Sequence, residues 1–372
     1  MQPKRSACES RVVRVLHVIE TLEFGGAEKV VVDLVEATRG SVAPSVCCVK
    51  RSGELAACLD ASIPVIVLNK GEGNDWLLPW RLARHVREGG YAVMHSHMWG
   101  VFLESALAAR LAGVPLVHTV HGRYMSYPGG WRARCKLAMR HLLERRAARW
   151  HHRVVAVSQA IQTFLIDELG FDARRVETIH NGIADAGAEP PRRQGATFVT
   201  VGRLVAVKNQ ALMIRALARV VDDHPDARLC LVGDGPERAA LETLALELGV
   251  QTRVEFAGFR DDIGRWLAAA DVFLMSSHYE GISIAVLEAM RAGLPVIGTS
   301  VGGMPETVQH GLSGWLVNDD DELGFAAAMR AALDDPGRRI ALGLAGQRRQ
   351  REVFSLESTA RSYMGLYAAG SA

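Results

Sequence analysis

The sequence predicts an α/β protein with two doubly wound domains, each built on a parallel sheet. Three observations lead to this prediction. The chain has 372 residues, which suits two domains of roughly 100–200 residues better than one compact core. Short β-branched runs alternate with longer amphipathic segments almost from end to end. Ala184–Gly195, rich in proline and small residues, interrupts that alternation and is the best linker candidate.

Composition and charge exclude several classes of protein. Apolar residues make up 49% and charged residues 23% of the chain, as in ordinary globular proteins. No apolar run approaches the ~20 residues that span a bilayer, and no signal-peptide segment follows the N-terminus, so we expect a cytoplasmic protein. The 43 basic and 41 acidic residues give a net charge of +2, which does not indicate nucleic acid as a partner. The six cysteines form no CxxC pair and are expected to be reduced.

The first half of the chain reads as a domain over residues 1–188. Continuous apolar runs are typical of buried parallel strands, and each such strand needs a helical crossover. The predicted strands are Val12–Ile19, Ser45–Val49, Pro64–Leu68, Val93–His95, Leu116–Val120, Val154–Val157 and Val176–Ile179. The helical patterns between them include Ala27–Thr38, Leu77–Glu88 and Phe102–Leu111.

The alternation restarts after the linker and predicts a second domain over residues 189–355, with the helical segment 356–372 completing the first domain. Five strands are predicted in it: Phe198–Val201, Arg228–Val232, Val254–Phe256, Val272–Met275 and Pro295–Ile297. The helical patterns are Gln210–Val221, Glu237–Leu248, Asp262–Ala268, Ile282–Ala292, Glu322–Leu333, Arg338–Gln350 and Leu356–Tyr367. Ligands of such sheets bind at the carboxyl ends of the strands, so both domains should face one cleft.

Two loops that follow predicted first strands carry features of an anion site. Gly25 and Gly26 open a helix, where the backbone can approach a ligand and free N–H groups attract an anion. Arg203 and Lys208, five residues apart, can converge on one phosphate group. Taken singly, the glycines also fit a tight turn and the cations a solvated surface.

The segment His278–Ala289 carries two carboxylates eight residues apart. Glu280 precedes a predicted helix and Glu288 lies two turns into it, so both can reach one elongated ligand. Carboxylates accept hydrogen bonds from paired sugar hydroxyls, and the helix start favours an anion. Alone, the pair also fits a helix cap and a surface charge, but Ser300–Glu306 after the next strand makes the combination more specific.

Together these segments resemble the retaining glycosyltransferases of family 4, and the resemblance covers nearly the whole chain. The elements that carry it are Gly25-Gly26, His121-Gly122, Val157-Ser158, Ile179–Ile183, Gly202–Leu204 with Lys208, Gly233–Pro236, Glu280 with Glu288, and Gly302–Glu306. The chain departs from the family pattern at His180, where proline is common, and at His152-Arg153, where aspartate is frequent.

The resemblance implies the GT-B fold, in which two Rossmann-like domains face an interdomain cleft. The N-terminal domain would then bind the acceptor and the C-terminal domain the nucleotide-sugar donor. Gly25 and Gly26 would approach the donor diphosphate, and Arg203 and Lys208 would neutralise it.

The resemblance also assigns the residues around the transferred sugar. Glu280 would contact that sugar, and Glu288 would accept hydrogen bonds from the ribose hydroxyls. The backbone N–H groups of Gly281, Ile282 and Ser283 would assist Glu280, and His121 would lie near the reacting sugar as a further catalytic residue.

Neither a metal nor a cofactor is expected. Fixed cations and helix N-termini can stabilise the charge on a departing nucleoside diphosphate. The run Asp319–Asp321 stands where a helix start is expected, and His95 with His97 lacks a third ligand placed by sequence, which favours a structural or cleft-lining role. A UDP-sugar is favoured over a GDP-sugar as donor.

Residues 131–153 hold eight basic residues against Glu144 alone, a net charge of +7. Leu137, Met139, Leu142, Leu143 and Trp150 add an apolar component. Basic helices of this kind often lie on anionic membranes, so we expect contact with the cytoplasmic membrane face. The alternative is a core-packing helix with a solvated basic face.

The resulting hypothesis is a retaining, metal-independent glycosyltransferase. It would move a sugar from a nucleotide-sugar to a hydroxyl of a saccharide or lipid-linked acceptor in surface polysaccharide or lipopolysaccharide biosynthesis. A nucleotide-sugar epimerase of the same fold is the alternative, and a non-catalytic binding protein is a third possibility. An NAD-dependent dehydrogenase is disfavoured because the first strand is not followed by GxGxxG.

Overall fold

The computed structural model of the protein describes residues 12–73, 75–123, 131–185 and 195–371, and in it the first half of the chain forms a parallel sheet. Its strands are β1 (Arg14–Ile19), β2 (Ala43–Cys48), β3 (Val65–Val67), β4 (Val93–His97), β5 (Leu116–Val120), β6 (Arg153–Ala156) and β7 (Val176–Thr178). Their spatial order is β3-β2-β1-β4-β5-β6-β7. The continuous apolar runs therefore formed buried parallel strands, as predicted.

A second parallel sheet occupies the other half of the chain. It contains β8 (Thr197–Val201), β9 (Arg228–Val232), β10 (Val254–Gly258), β11 (Val272–Met275), β12 (Val296–Thr299) and β13 (Gly314–Val317). The order is β10-β9-β8-β11-β12-β13. Sequence analysis missed β13, because this strand has only four residues, begins with glycine, and forms an edge that pairs with β12 alone.

Helices cover both sheets, which confirms the doubly wound α/β class. They are α1 (Gly26–Thr38), α2 (Leu78–Glu88), α3 (Phe102–Ala112), α4 (Trp131–Ala147), α5 (Gln159–Thr163), α6 (Gln210–Val220), α7 (Arg238–Glu247), α8 (Ile263–Ala269), α9 (Ile284–Arg291), α10 (Met304–Thr307), α11 (Glu322–Asp334), α12 (Pro336–Val353) and α13 (Leu356–Ser371). No helix in the described part of the chain combines the length and the hydropathy that a membrane span requires.

The basic segment 131–153 is not one continuous helix. Helix α4 ends at Ala147, a 3₁₀ turn covers Ala148–Trp150, and β6 begins at Arg153. The helix ends there because the following residues join the sheet: the His152 backbone N–H donates to the carbonyl oxygen of Leu116 at 2.8 Å. His152 and Arg153, which stand where the family often has aspartate, thus lie at the start of β6.

The C-terminal helix α13 lies against the first sheet. Tyr363 and Tyr367 are fully buried there and pack with Val15, Val93 and Val117. The predicted boundary between residues 188 and 189, and most of the linker Ala184–Gly195, fall on residues 186–194, outside the described part of the chain. The domain limits therefore stay a prediction.

Each sheet has one point where the strand order reverses. In the first sheet this point lies between β1 and β4, and in the second between β8 and β11. The loops after neighbouring strands diverge at such a point and leave a crevice at the carboxyl ends. The loops that carry Gly25-Gly26 and Arg203–Lys208 follow β1 and β8, so both lie at these reversals.

Histidines form a buried hydrogen-bonded row beneath α13. His17 Nδ1 lies 3.2 Å from His97 Nε2, and the two ring nitrogens of His95 lie 2.7 Å from the Tyr367 hydroxyl and 2.8 Å from Thr119 Oγ1. Sequence analysis placed no third imidazole beside His95 and His97, and the structure shows that His17 lies there. Both nitrogens of His95 already have hydrogen-bond partners. This favours a structural role for the row.

Burial keeps these imidazoles neutral. It lowers the pKa of His17 to about 3 and holds those of His95 and His97 well below the usual value. On the opposite face of the sheet, burial also holds the pKa of His118 well below 6.5 and lowers that of His151 to about 4. Protonation of any of them would place an unpaired charge in the core.

These pKa shifts predict a loss of stability in mild acid. The unfolded histidines titrate near 6.5, so as the pH falls the unfolded chain binds protons first and the free energy of unfolding decreases. Each buried histidine should contribute about 1.4 kcal/mol per pH unit between about pH 6.5 and its folded pKa. Urea unfolding at pH 7.5, 6.5 and 5.5 measures this slope. His118→Asn should reduce it by roughly that amount; equal slopes in the wild type and this variant would contradict the prediction.

Candidate active site

The N-termini of two helices from different halves of the chain face each other at the strand-order reversals. A Cβ atom placed on Gly26, the first residue of α1, would lie 3.9 Å from Ile284 Cγ1, in the first residue of α9. Helix N-termini carry unpaired N–H groups and a partial positive charge. The crevice between α1 and α9 is therefore suited to an anion.

Arg203 and Lys208 supply positive charge beside these helices. Burial raises the pKa of Glu28, in the first turn of α1, and the positive charge of Arg203 opposes that rise. Arg203 is itself exposed, so its guanidinium is accessible to a ligand. Lys208 ends the 3₁₀ turn Ala206–Lys208, and its Nζ lies 2.5 Å from Glu280 Oε1. The structure thus brings together Lys208 and Glu280, which are 72 residues apart.

Glu280 is rigidly held between β11 and α9. Its side chain is buried, and Ser277 Oγ donates to Oε1 at 2.6 Å in addition to the Lys208 contact. The backbone of Gly302 packs directly on the Glu280 carbonyl oxygen, with a φ of +51°, so any side chain at Gly302 would collide with it. The Gly302-Gly303 pair therefore has a packing reason: it lets two loops touch through their backbones.

The backbone N–H groups of Gly281, Ile282 and Ser283 have no acceptor among the described residues. Ser283 is the N-cap residue of α9, and the predicted start at Ile282 was two residues early. Glu288 therefore lies one turn into the helix, and not two as predicted. Burial raises the pKa of Glu288, although Arg291 and Lys29 partly offset that rise. Its carboxylate has no hydrogen-bond partner in the described chain and faces α1.

His121 lies where the two halves of the chain touch. Its carbonyl oxygen would be 2.6 Å from a Cβ atom on Gly281, so only glycine fits there. Both of its ring nitrogens are inaccessible to solvent and have no hydrogen-bond partner within the described residues. Burial lowers the pKa of His121 to about 4, so the ring is neutral. The His121 ring therefore has hydrogen-bonding capacity that no described residue uses.

Sequence analysis assigned no role to Glu306, which joins the two halves. Its carboxylate accepts hydrogen bonds from the backbone N–H groups of Gln159 at 2.8 Å and Ala160 at 3.0 Å, at the start of α5. His180 Nε2 lies 2.8 Å from the same carboxylate. The one available signal was that His180 departs from the family pattern while Glu306 ends a family motif.

A cavity of about 470 Å³ opens at the carboxyl ends of β1, β2 and β3. Both acidic and basic side chains line it and are partly paired, as in the 2.9 Å contact between Lys50 Nζ and Glu20 Oε1. The charged residues that line it are Glu20, Glu23, Glu28, Lys50, Arg51, Lys70 and Glu72. Mixed donors and acceptors of this kind suit a ligand with many hydroxyl groups.

The aspartate run lies at the surface. Asp321 accepts a hydrogen bond from the Gly324 N–H at 2.8 Å and is the N-cap residue of α11, as predicted. Asp319 Oδ1 lies 3.0 Å from His278 Nδ1, with Asp320 4.0 Å away. These three exposed groups form an ion-pair cluster when His278 is protonated.

Both halves of the chain match family models of glycosyltransferases. Residues 24–186 match the family model described as Glycosyltransferase Family 4, and residues 185–349 match Glycosyl transferases group 1. The D-inositol 3-phosphate glycosyltransferase of Thermobispora bispora is 31% identical over 75% of this chain and 71% of its own length. The Escherichia coli UDP-Gal:alpha-D-GlcNAc-diphosphoundecaprenol alpha-1,3-galactosyltransferase is 29% identical over 77% of this chain and 79% of its own.

Solved structures show the same architecture. Anabaena HepE, crystallised with UDP-glucose, superposes with a TM-score of 0.83 at 25% identity, covering 96% of this chain and 99% of the other. TarM superposes with a TM-score of 0.80 at 11% identity, covering 95% and 98% of the two chains, and so shows the fold alone.

The contacts of Glu306 generate a stability prediction. Burial by itself would raise the pKa of Glu306, but the hydrogen bonds from His180 and the two N–H groups outweigh burial and lower it. Glu306→Gln replaces one acceptor oxygen by an NH₂ donor. This change should lower the free energy of unfolding by about 1–3 kcal/mol and the melting temperature by several degrees. Scanning calorimetry measures this change, with Glu352→Gln on the exposed surface of α12 as the control. Identical melting temperatures for both variants would show that the Glu306 contacts do not stabilise the protein.

Proposed function

Because this chain belongs to glycosyltransferase family 4, has the GT-B fold and is a glycosyltransferase of the type that uses nucleotide-sugar donors, we propose that it is a retaining, metal-independent enzyme. It transfers a sugar to a hydroxyl group of a saccharide or lipid-linked acceptor. The observation that carries the proposal is the convergence of two helix N-termini with Arg203 and Lys208 at the facing strand-order reversals.

The diphosphate of the donor fits this convergence. The N–H groups at Gly25 and Gly26 approach its oxygens, while Arg203 offers a bidentate contact and Lys208 a point charge. As the bond to the sugar breaks, negative charge grows on the departing phosphate, and these fixed groups stabilise it without reorganisation. Side chains and helix dipoles thus take the part that a divalent metal plays in other sugar transferases, which is the basis for proposing metal independence.

The remaining site residues bind the sugar and the ribose. Ser277 and Lys208 hold Glu280 in one orientation, so its free oxygen can accept a hydrogen bond from the transferred sugar. The N–H groups of Gly281, Ile282 and Ser283 donate to the same ligand. Glu288, a half-buried carboxylate without a hydrogen-bond partner in the described chain, accepts from the ribose hydroxyl pair. His121 is neutral, so it can bind a sugar hydroxyl without repelling the cationic character that develops on the sugar.

A UDP-sugar is the proposed donor. Anabaena HepE was crystallised with UDP-glucose, and the E. coli relative bears a UDP-Gal donor in its name. Both share their architecture or sequence with this chain over most of its length, which supports UDP over GDP.

The acceptor is proposed to enter the cavity beside β1–β3. This cavity adjoins the start of α1 through Glu28, and its acidic and basic side chains suit sugar hydroxyls. A separate cavity on the acceptor side supports transfer over epimerisation, since an epimerase needs no second ligand. The lipid-linked substrate in the name of the E. coli relative supports a role in surface polysaccharide or lipopolysaccharide synthesis at the cytoplasmic membrane face.

Helix α4 is the proposed contact with that membrane. Its buried side centres on Glu144, and the opposite side exposes Trp131, Met139, Leu142 and Leu143 to between 44 and 71%. Arginine and apolar side chains share this exposed side, so contact with an anionic membrane would combine charge attraction with burial of a few apolar side chains. Replacing Leu142 and Leu143 by serine should therefore lower partitioning into lipid vesicles.

Loss of either phosphate-binding cation should strongly reduce turnover. Arg203→Ala or Lys208→Ala removes one preorganised contact with the leaving group and should lower kcat by roughly 10²–10³-fold. The measurement is steady-state transfer from UDP-sugars, with Arg338→Ala on the exposed start of α12 as the control. If both site variants kept the turnover of the control, the assignment of the diphosphate site would be wrong.

Transfer should also survive chelation of divalent metals. Since the leaving-group charge is met by side chains and helix N-termini, the wild-type rate in excess EDTA should equal that without it. Product formation from UDP-sugar, followed by chromatography, measures both rates. Loss of activity in EDTA that Mg²⁺ or Mn²⁺ restores would contradict metal independence.

A further inference from the structure

Four arginines line a cavity that the proposed reaction does not use. The cavity has a volume of about 450 Å³, and its basic lining residues are Arg145, Arg149, Arg174 and Arg175. It lies at the amino ends of β6 and β7, where Arg149 and Arg175 precede the strands. The candidate active site lies at the carboxyl ends, so the arginine cavity is on the opposite edge of the first sheet.

The positive charge of this cavity is largely uncompensated. Arg174 pairs with Asp172 at 2.9 Å, and Arg175 Nη1 donates to the His151 carbonyl oxygen at 2.6 Å. Arg145 and Arg149 have no acidic partner in the described part of the chain. Asp172 is the only acidic residue in the lining, so the four arginines leave a net charge of 4 − 1 = +3.

Arg145 is packed against the wall of the cavity. Val154, Phe171 and Val176 form an apolar base, and the Arg145 side chain lies along the backbone of Gly170, 3.2 Å from where a Cβ atom would be. The left-handed φ of +68° at Gly170 turns the chain into that position. Guanidinium groups are planar and offer paired N–H donors, which suits them to bind phosphate oxygens in a bidentate way.

The cavity adjoins the C-terminal end of α4. Arg145 belongs to α4 and Arg149 to the turn that follows it, beside Trp150, whose side chain is 48% exposed. Exposed tryptophan next to cations is typical of surfaces at the level of lipid headgroups. A soluble phosphate ligand would not require this neighbouring apolar surface, whereas a phospholipid would.

We propose that the arginine cavity binds the phosphate of an anionic phospholipid headgroup and thereby fixes how the enzyme lies on the membrane. This inference rests on the proposed membrane contact of α4. The 17 residues of α4 extend about 25 Å, from Trp131 near the carboxyl end of β5 to the cavity at the other edge of the sheet. A lipid held at the far end of α4 orients the helix along the bilayer, with its Trp131 end and the cleft near the lipid-linked acceptor.

Co-sedimentation with vesicles tests the proposal. Wild-type protein is compared on phosphatidylcholine vesicles and on vesicles that also contain phosphatidylglycerol. The cavity variant is Arg145→Gln/Arg149→Gln, and the matched control is Lys136→Gln/Arg146→Gln, which removes the same charge from α4 outside the cavity. A third variant, Leu142→Ser/Leu143→Ser, tests the apolar contact.

The loss of two charges alone should reduce partitioning into anionic vesicles by about 30-fold. The cavity variant should lose on the order of ten-fold more than the charge-matched control, because it also loses directed hydrogen bonds. Equal losses in the two variants, or a wild type with no preference for anionic vesicles, would overturn the cavity assignment. Calorimetric binding of inorganic phosphate that is lost in the cavity variant, together with equal vesicle partitioning of the cavity variant and the charge-matched control, would identify free phosphate as the ligand and overturn it as well.

The same experiment separates this inference from the function on which it rests. If the serine variant partitions like wild type while the cavity variant is weakened, the cavity is supported and the apolar contact of α4 is wrong. Thermal stabilisation by UDP should be the same in all four proteins, because the donor site lies elsewhere. A wild type that binds anionic vesicles through the cavity without stabilisation by any nucleoside diphosphate would support the cavity and contradict the proposed donor.

Discussion

The candidate site depends on a direct backbone contact between loops that only glycine permits. Gly302 rests on the carbonyl oxygen of Glu280, and Gly281 rests on that of His121. A single Cβ atom at either glycine would push the loops apart by more than the tolerance of a catalytic contact. Two backbone contacts therefore fix the positions of Glu280, the start of α9 and His121. The first joins two loops of the second sheet, and the second joins the two halves of the chain.

Polar contacts then hold the two halves in this relation. Glu306 caps the start of α5 and contacts His180, and the Asn181 side chain donates to the Ile282 carbonyl oxygen at 3.3 Å. Both His180 and Asn181 lie just before the point where the chain passes to its second half. Hydrogen bonds of this kind stabilise modestly and can be exchanged, which suits an enzyme that must open its cleft to exchange donor and product.

The sheet in the first half of the chain has three distinct environments around it. The carboxyl edge faces the crevice, α13 covers a neutral histidine row on one face, and the arginine cavity occupies the amino edge. Because parallel strands all point the same way, these environments lie at different ends or faces of the same element. The cationic amino edge is therefore spatially separate from the crevice at the carboxyl edge.

The sequence by itself determined the two parallel sheets, the loops that carry the site, and the family. Continuous apolar runs and glycine-rich turns are local signals, so strand and loop positions could be predicted without tertiary contacts, apart from the short edge strand β13. Only the tertiary structure decided the pairing of Lys208 with Glu280, the contact of Glu306 with His180, and the grouping of four arginines. Those contacts join residues up to 126 positions apart, and such distances are set by how sheets and helices pack, which no local pattern records.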